Sequence, residues 1–243
     1  MIDTAIWETL GIWLTEKQGV VTKGWKEPYG DWGENKRLGY RVQYDNDALD
    51  YADCWIWVDE LNIEFHYHNG ATKKVPLDKR FADLNSVYPL QYGIPVSQLH
   101  HCFFLPSWDA GRLYCYDMDT GKLLWTRRMK HNRQVLTYRD YILCEQEGIG
   151  VTKLSYDGQS ELGKFTMTCF EYFFQLNDTF FLIGPKRNKY YVVDSVDFSI
   201  LKEIPKQAIH PEGTLPVEAH GTADCITMYR WENHVICKRE LKL

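Results

Sequence analysis

The sequence predicts an all-β protein built from similar antiparallel sheets. Aromatic residues make up 15% of the chain, with 16 Tyr, 11 Phe and 9 Trp, and such side chains favour pleated, half-buried surfaces. Alternating segments are joined by turns rich in Asp, Asn, Gly and Ser, most clearly at Asn69-Gly70 and Asp157-Gly158. Alternation around such turns is the signature of a β-hairpin.

The hairpins recur, and a short apolar run precedes each one. Hairpin patterns cover residues 62–77, 113–125, 151–165 and 189–204, and apolar runs cover 54–58, 102–106, 141–145, 180–184 and 225–229. The repeat interval is about 40 residues. One inner apolar strand followed by a hairpin, at that interval, predicts the four-stranded blade of a β-propeller.

The pattern predicts one domain over residues 1–243, with about five four-stranded blades closed by an N-terminal segment. Residues 38–243 hold the blades, and residues 1–37 form a helix or extended arm and the closing strand. The last unit reaches Leu243 directly after its third strand. Since an open blade leaves an unpaired edge, we expect Val20–Trp25 to supply the missing fourth strand.

One hairpin, LYCYDMDTGKLLW at 113–125, resembles the repeat of the pyrroloquinoline-quinone-type and WD40-like propellers. Tyr114, Asp117, Gly121, Lys122 and Trp125 match that repeat. The resemblance implies that the Asp-to-Gly run is a turn and that the Trp packs against the neighbouring blade. It implies architecture and no activity. Quinone-dependent members of the family are much longer and carry a secretion signal, and some have an adjacent Cys pair. This sequence shows none of these features, so no cofactor is expected.

Composition argues against several classes of partner and compartment. The net charge of −5 disfavours a nucleic-acid partner, because phosphate binding needs clustered Lys and Arg. No apolar run approaches the roughly 20 residues that span a bilayer, and the N-terminus is a poor signal peptide, so no membrane association is expected. Seven Cys without a CxxC pair indicate a reducing compartment, and we predict a cytoplasmic protein.

Two histidines offer the best candidate for chemistry. His66 and His68 lie two apart in a predicted strand, so both imidazoles project from one face and are able to reach one metal ion. A third ligand would come from His100, His101 or Asp53. The simpler interpretation places His66 and His68 on the solvent face, and with only two ligands we assign no metal site.

The standard catalytic fingerprints are missing from the sequence. It contains no GxSxG, GxGxxG or GxxxxGK[ST] motif, which argues against a nucleophile elbow and a nucleotide cradle. We therefore expect no catalytic residues and classify the protein as not an enzyme.

Two groups of residues are candidates for binding a partner. Trp25, Tyr29, Trp32 and Trp108 are large aromatics in turn-like contexts, where they act either as binding hot spots or as covers over their own core. The densest basic segment, RRMKHNR, contains Arg127 and Arg128. It either contacts an acidic partner or is a solvated connection between blades.

The predicted function is protein–protein interaction without catalysis. A specific form is a bacterial immunity-type inhibitor that covers the active site of a toxin. The alternative is a small propeller enzyme, a metal-dependent hydrolase or lyase, that uses His66 and His68 at the channel mouth.

Overall fold

A computed structural model describes residues 37–43, 52–57, 62–67, 72–76, 94–97, 99–107, 110–232 and 235–243. In this part of the chain there are nineteen β-strands and one short helix, α1 (Lys206–Ile209). None of the described helical residues forms a helix that is long and apolar enough to cross a membrane. The all-β prediction is confirmed for the described residues.

The strands form antiparallel units, which we number as five sheets in chain order. The first sheet contains β1 (Arg37–Gln43), β2 (Ala52–Trp57), β3 (Asn62–Tyr67) and β4 (Thr72–Pro76). The second sheet contains β5 (Ile94–Ser97), β6 (Cys102–Ser107), β7 (Arg112–Asp117) and β8 (Leu123–Arg128). A short parallel contact, Val42 with Ile94 and Gln43 with Pro95, joins these two units through β1 and β5.

The remaining sheets repeat the same arrangement. The third contains β9 (Asn132–Thr137), β10 (Ile142–Gln146), β11 (Gly150–Leu154) and β12 (Glu161–Thr166). The fourth contains β13 (Tyr172–Gln175), β14 (Phe180–Lys186), β15 (Lys189–Asp194) and β16 (Ile200–Pro205). The fifth contains only three strands, β17 (Thr214–Gly221), β18 (Cys225–Glu232) and β19 (Val235–Lys242).

Each predicted apolar run is the second strand of its sheet, and each predicted hairpin joins the third strand to the fourth. The hydrophobic cores lie between consecutive sheets. In β14, Phe181 and Ile183 belong to a core shared with the third sheet, whereas Leu182 belongs to a core shared with the fifth. In β10, Leu143 packs toward the fourth sheet and Ile142 toward the second. Because neighbouring residues of a strand point to opposite faces, the third and fourth sheets are covered on both sides.

The turn predicted at Asp117 forms as expected. The Asp117 carboxylate accepts hydrogen bonds from the backbone N–H groups of Asp119 (3.0 Å) and Thr120 (2.6 Å). The Thr120 hydroxyl also donates to this carboxylate, at 2.7 Å. This bond first, and then the backbone bonds, lower the pKa of Asp117 because they stabilise its charged form. Gly121 has φ +69, a conformation that is costly for other residues. The resemblance to the propeller repeat therefore identified this turn correctly.

Trp125 connects the second sheet to the third, as the resemblance implied. Its indole Nε1 donates a hydrogen bond to the backbone carbonyl of Tyr156 at 2.8 Å, and its ring lies 5.9 Å from the ring of Phe104. Tyr156 lies at the start of the turn that joins β11 to β12. The outer strand of the second sheet, β8, is thus hydrogen-bonded to the turn between β11 and β12 in the third sheet.

Similar polar contacts, which we call ties, connect other neighbouring sheets at the same end of the strands. Lys73 on β4 forms an ion pair with Asp119 in the turn of the second sheet. Lys202 on β16 lies 3.4 Å from Asp224, in the turn between β17 and β18. These exposed pairs add little stability individually, but they fix which turn faces which strand.

Some sequence-based predictions concern residues outside the described part. The N-terminal helix or arm and the closing strand Val20–Trp25 are among them. The described strands form five units but no closed ring, so the five-bladed closure stays a prediction.

We predict that Gly158→Ala destabilises the protein more than Gly148→Ala. Both glycines have nearly the same φ, +71 and +72, so an Ala side chain costs about 1 kcal/mol at either position. At Gly158 the new Cβ would also lie 2.8 Å from the Trp125 ring, whereas at Gly148 it would meet nothing within 4 Å. Overpacking of this kind costs roughly a further 1–3 kcal/mol. Urea unfolding measures the difference, and equal losses would show that Trp125 does not pack on this turn.

Candidate basic surface of the second sheet

The predicted basic segment spans the end of β8, a short connection and the start of β9. Arg127 and Arg128, the two sequence-based candidates, are the last residues of β8. Alternation sends their side chains to opposite faces of the sheet. The two arginines therefore have different surroundings and different uses.

Arg127 contacts the third sheet. Its Nη1 donates to the backbone carbonyls of Gly158 (2.6 Å) and Gln159 (3.1 Å), and its Nη2 lies 3.9 Å from the Glu161 carboxylate. These contacts continue the tie that Trp125 makes to the same turn. The Arg127 guanidinium thus has hydrogen-bond partners within the protein and connects the second sheet to the third.

Arg128 points away from the third sheet and is exposed. The residue directly opposite on β7 is Arg112, which is also exposed. Directly opposed residues of an antiparallel pair project from the same face, with Cβ atoms about 4.5–5.5 Å apart. Within the described part of the chain, neither guanidinium forms a hydrogen bond or an ion pair. We call Arg112 and Arg128 the arginine pair.

The surroundings of the arginine pair add positive charge. Exposed Lys130 lies beside Gly111, since a Cβ at Gly111 would be 3.8 Å from Lys130 Cγ. The next opposed pair on this face is Tyr114 and Thr126. The surface is therefore cationic at its outer end, with an aromatic ring beside it. Sequence inspection missed Arg112 because it lies sixteen positions before Arg128, and only the strand register brings the two together.

The last arginine of the segment, Arg133, is half-buried. Arg133 Nε donates a hydrogen bond to the Glu145 carboxylate at 2.6 Å, and its Nη2 donates to the same carboxylate oxygen. Nη2 also donates to the backbone carbonyl of Phe170 at 3.1 Å. The Glu145 side chain is only 1% exposed. Burial raises the pKa of Glu145 to about 7, although the neighbouring Arg133 favours the ionised form. This ion pair links β9 and β10 to the chain segment that enters the fourth sheet.

The described residues do not assemble a metal site. No group of three His, Cys, Asp or Glu side chains among them is arranged to hold a metal ion. His68, Trp25, Tyr29, Trp32 and Trp108 lie outside the described residues, and His66 is described only as a backbone position in β3.

The two other candidate histidines have structural contacts. The His100 ring stacks on Tyr156 at 3.6 Å between centroids, and its Nε2 lies 2.7 Å from the backbone carbonyl of Arg139. His101 Nδ1 lies 3.5 Å from the Asp119 carboxylate. Both histidines therefore contact turns at the end of the sheets where the ties form.

A second exposed feature is a leucine in the outer strand of three successive sheets. Leu124, Leu162 and Leu201 each occupy the position that a register irregularity leaves without an opposite partner, and each is exposed. A bulge of this kind bends an edge strand and interrupts its pairing edge. The bulges account for the exposure of these leucines without a binding partner.

Comparison with known proteins adds distant structural likenesses. No protein-family model matches the chain, and no curated protein sequence does. Solved structures that resemble it include the computationally designed Ika8 protein (TM-score 0.47, 11% identity, 78% of this chain and 55% of that chain) and BamB from Moraxella catarrhalis (0.46, 12%, 77% and 54%). The N-terminal domain of Nup159 is another (0.41, 13%, 62% and 44%). The chain spans about half of the length of these proteins, and likenesses this distant carry no argument about activity.

The buried Glu145 predicts a pH-dependent stability. Its pKa is raised from an ordinary value of 4.5 to about 7, so the folded protein binds the extra proton between these values. Stability from this group is full below pH 4.5 and falls as the pH rises through 7, by roughly 3 kcal/mol in total. Denaturant unfolding between pH 5 and pH 8, compared with Glu145→Gln, measures the effect. A stability curve equally steep in the variant would contradict the assignment to Glu145.

Proposed function

We propose that this protein is a non-catalytic scaffold that binds another protein through the surface around Arg112 and Arg128. The observation that carries the proposal is the arginine pair itself. Like charges directly opposite each other on adjacent strands lower stability, and here both are exposed without a partner in the described part of the chain. A partner with negatively charged groups would remove the repulsion between the two arginines. We therefore assign the arginine pair to partner binding.

The proposal includes a closed ring of five blades. The fifth sheet ends at β19, which corresponds in order to the third strand of the preceding sheets. Among the described strands, none occupies the outer position that β8, β12 and β16 fill in their sheets. We assign that position to Val20–Trp25 of the same chain. Closure would complete a rigid body on which the basic surface is held in place.

A narrower form of the proposal is an immunity-type inhibitor that acts in the bacterial cytoplasm and covers the active site of a toxin. The net charge of −5 and the moderate size of the chain are compatible with this role. The enzymatic alternative depends on His66 and His68, whose side chains lie outside the described residues, and no observation favours it here.

Affinity capture from the native host tests the proposal. The bait is the wild-type chain, and the test bait carries Arg112→Ser with Arg128→Ser. We expect the partner captured by the wild type, once purified, to bind the test variant roughly tenfold or more weakly, because contacts between close charges are lost. A parallel bait with Trp25→Ala and Trp32→Ala tests the predicted aromatic surface.

The matched control carries Lys164→Ser with Arg187→Ser. Both residues are exposed; Lys164 is on β12, and Arg187 is in the turn between β14 and β15. The control therefore loses the same net charge elsewhere. It should bind like the wild type. A partner that binds wild type and test variant equally would refute the proposed surface, and failure to capture any saturable protein partner would refute the function.

A further inference from the structure

We infer that the arginine pair binds an acidic segment of the partner protein, with Arg112 and Arg128 each holding one carboxylate. This inference rests on the proposed function and specifies the chemistry of the partner. It follows from the geometry of the pair, from the charge around it and from the charge of the whole chain.

The strand register places two arginine side chains next to each other on one face of the sheet. Arg112 and Arg128 are directly opposed on β7 and β8 and project from one face. Each guanidinium is planar and presents N–H groups that match the two oxygens of a carboxylate. Because the pair has a fixed strand register, it suits carboxylates on nearby side chains of one peptide segment.

Both arginine side chains are exposed, and the described residues around them are positively charged. Glu161, the acidic residue that lies 3.9 Å from Arg127, is on the other face of the sheet from the arginine pair. Lys130 adds a third exposed cation beside Gly111. An incoming acidic segment would therefore meet three positive groups and would relieve the repulsion between the two arginines.

The charge of the whole chain favours a protein over a nucleic acid as the source of the anionic groups. The net charge is −5, so a long polyanion would be repelled by much of the surface. Nucleic-acid binding relies on many phosphate contacts along an extended basic face. A cluster of three cations suits a short acidic peptide segment instead.

The test measures binding of a hexaglutamate peptide to the full chain by NMR, observed at the arginine side-chain N–H groups. We expect saturable shifts at two arginine signals, both missing from the Arg112→Ser, Arg128→Ser variant. Affinity should fall at least roughly tenfold when salt rises from about 20 to 200 mM, because exposed charge pairs are screened. The Lys164→Ser, Arg187→Ser control should bind like the wild type.

Two further variants separate charge, geometry and folding. Arg112→Lys with Arg128→Lys keeps both charges but loses the planar forks, and we expect severalfold weaker peptide binding. Arg128→Glu places an opposite charge across from Arg112, so its Tm should not fall below that of the wild type, whereas peptide binding should be lost. A loss of binding in this folded variant cannot be attributed to unfolding.

The inference is overturned if hexaglutamate causes no saturable shift, if the serine variant binds it like the wild type, or if a twelve-nucleotide oligothymidylate binds more tightly than the peptide. These outcomes differ from failure of the proposed function. Host-partner capture that depends on the arginine pair, without hexaglutamate binding, would retain the surface and reject the acidic segment.

Discussion

The structure depends on burial of both faces of each central sheet. In β14 and β10, neighbouring residues alternate between two different cores, as Phe181 and Leu182 do. A sheet with two apolar faces is unstable in water unless another sheet covers each face. The third and fourth sheets therefore require neighbours on both sides, and the chain supplies them in sequence order. This requirement explains why the apolar runs of the sequence recur.

The ties between sheets give this stacking its alignment. Trp125 and Arg127 donate hydrogen bonds to backbone carbonyls in the turn between β11 and β12. These bonds are directional, so they specify how the second sheet lies against the third. Hydrophobic contact is non-directional and would not specify this on its own. Because these ties are formed by the outer strands, one face of β8 is structural. The other face carries the exposed Arg128, on which the proposed recognition depends. In β8, one face therefore contacts the next sheet, and the other face carries the residue proposed to bind a partner.

Much of the fold follows from local patterns in the sequence. The strands were predictable from alternation, and the Asp117 turn from residue types with known backbone preferences. The role of Trp125 came from the resemblance of its hairpin. These features depend on interactions among residues close in sequence, or on side chains whose preferred environment is narrow.

The candidate site was only half predictable, because it depends on register. Arg128 stands out in a basic run, but its partner Arg112 becomes a neighbour only through the pairing of β7 with β8. The contact between Arg133 and the buried Glu145 likewise joins residues twelve positions apart. The bulge at Leu162 interrupts the alternation, so Glu161 and Leu162 are both exposed although they are neighbours in one strand. No local pattern encodes these pairings.

A crystal structure of the full chain is the most direct test of face-to-face stacking and its closure. The account predicts five radially stacked sheets, with Phe181 and Leu182 in separate cores and residues 20–25 paired with the outer edge of β19. A two-layered sandwich, or a β19 edge left open with the fifth sheet away from the first, would contradict it.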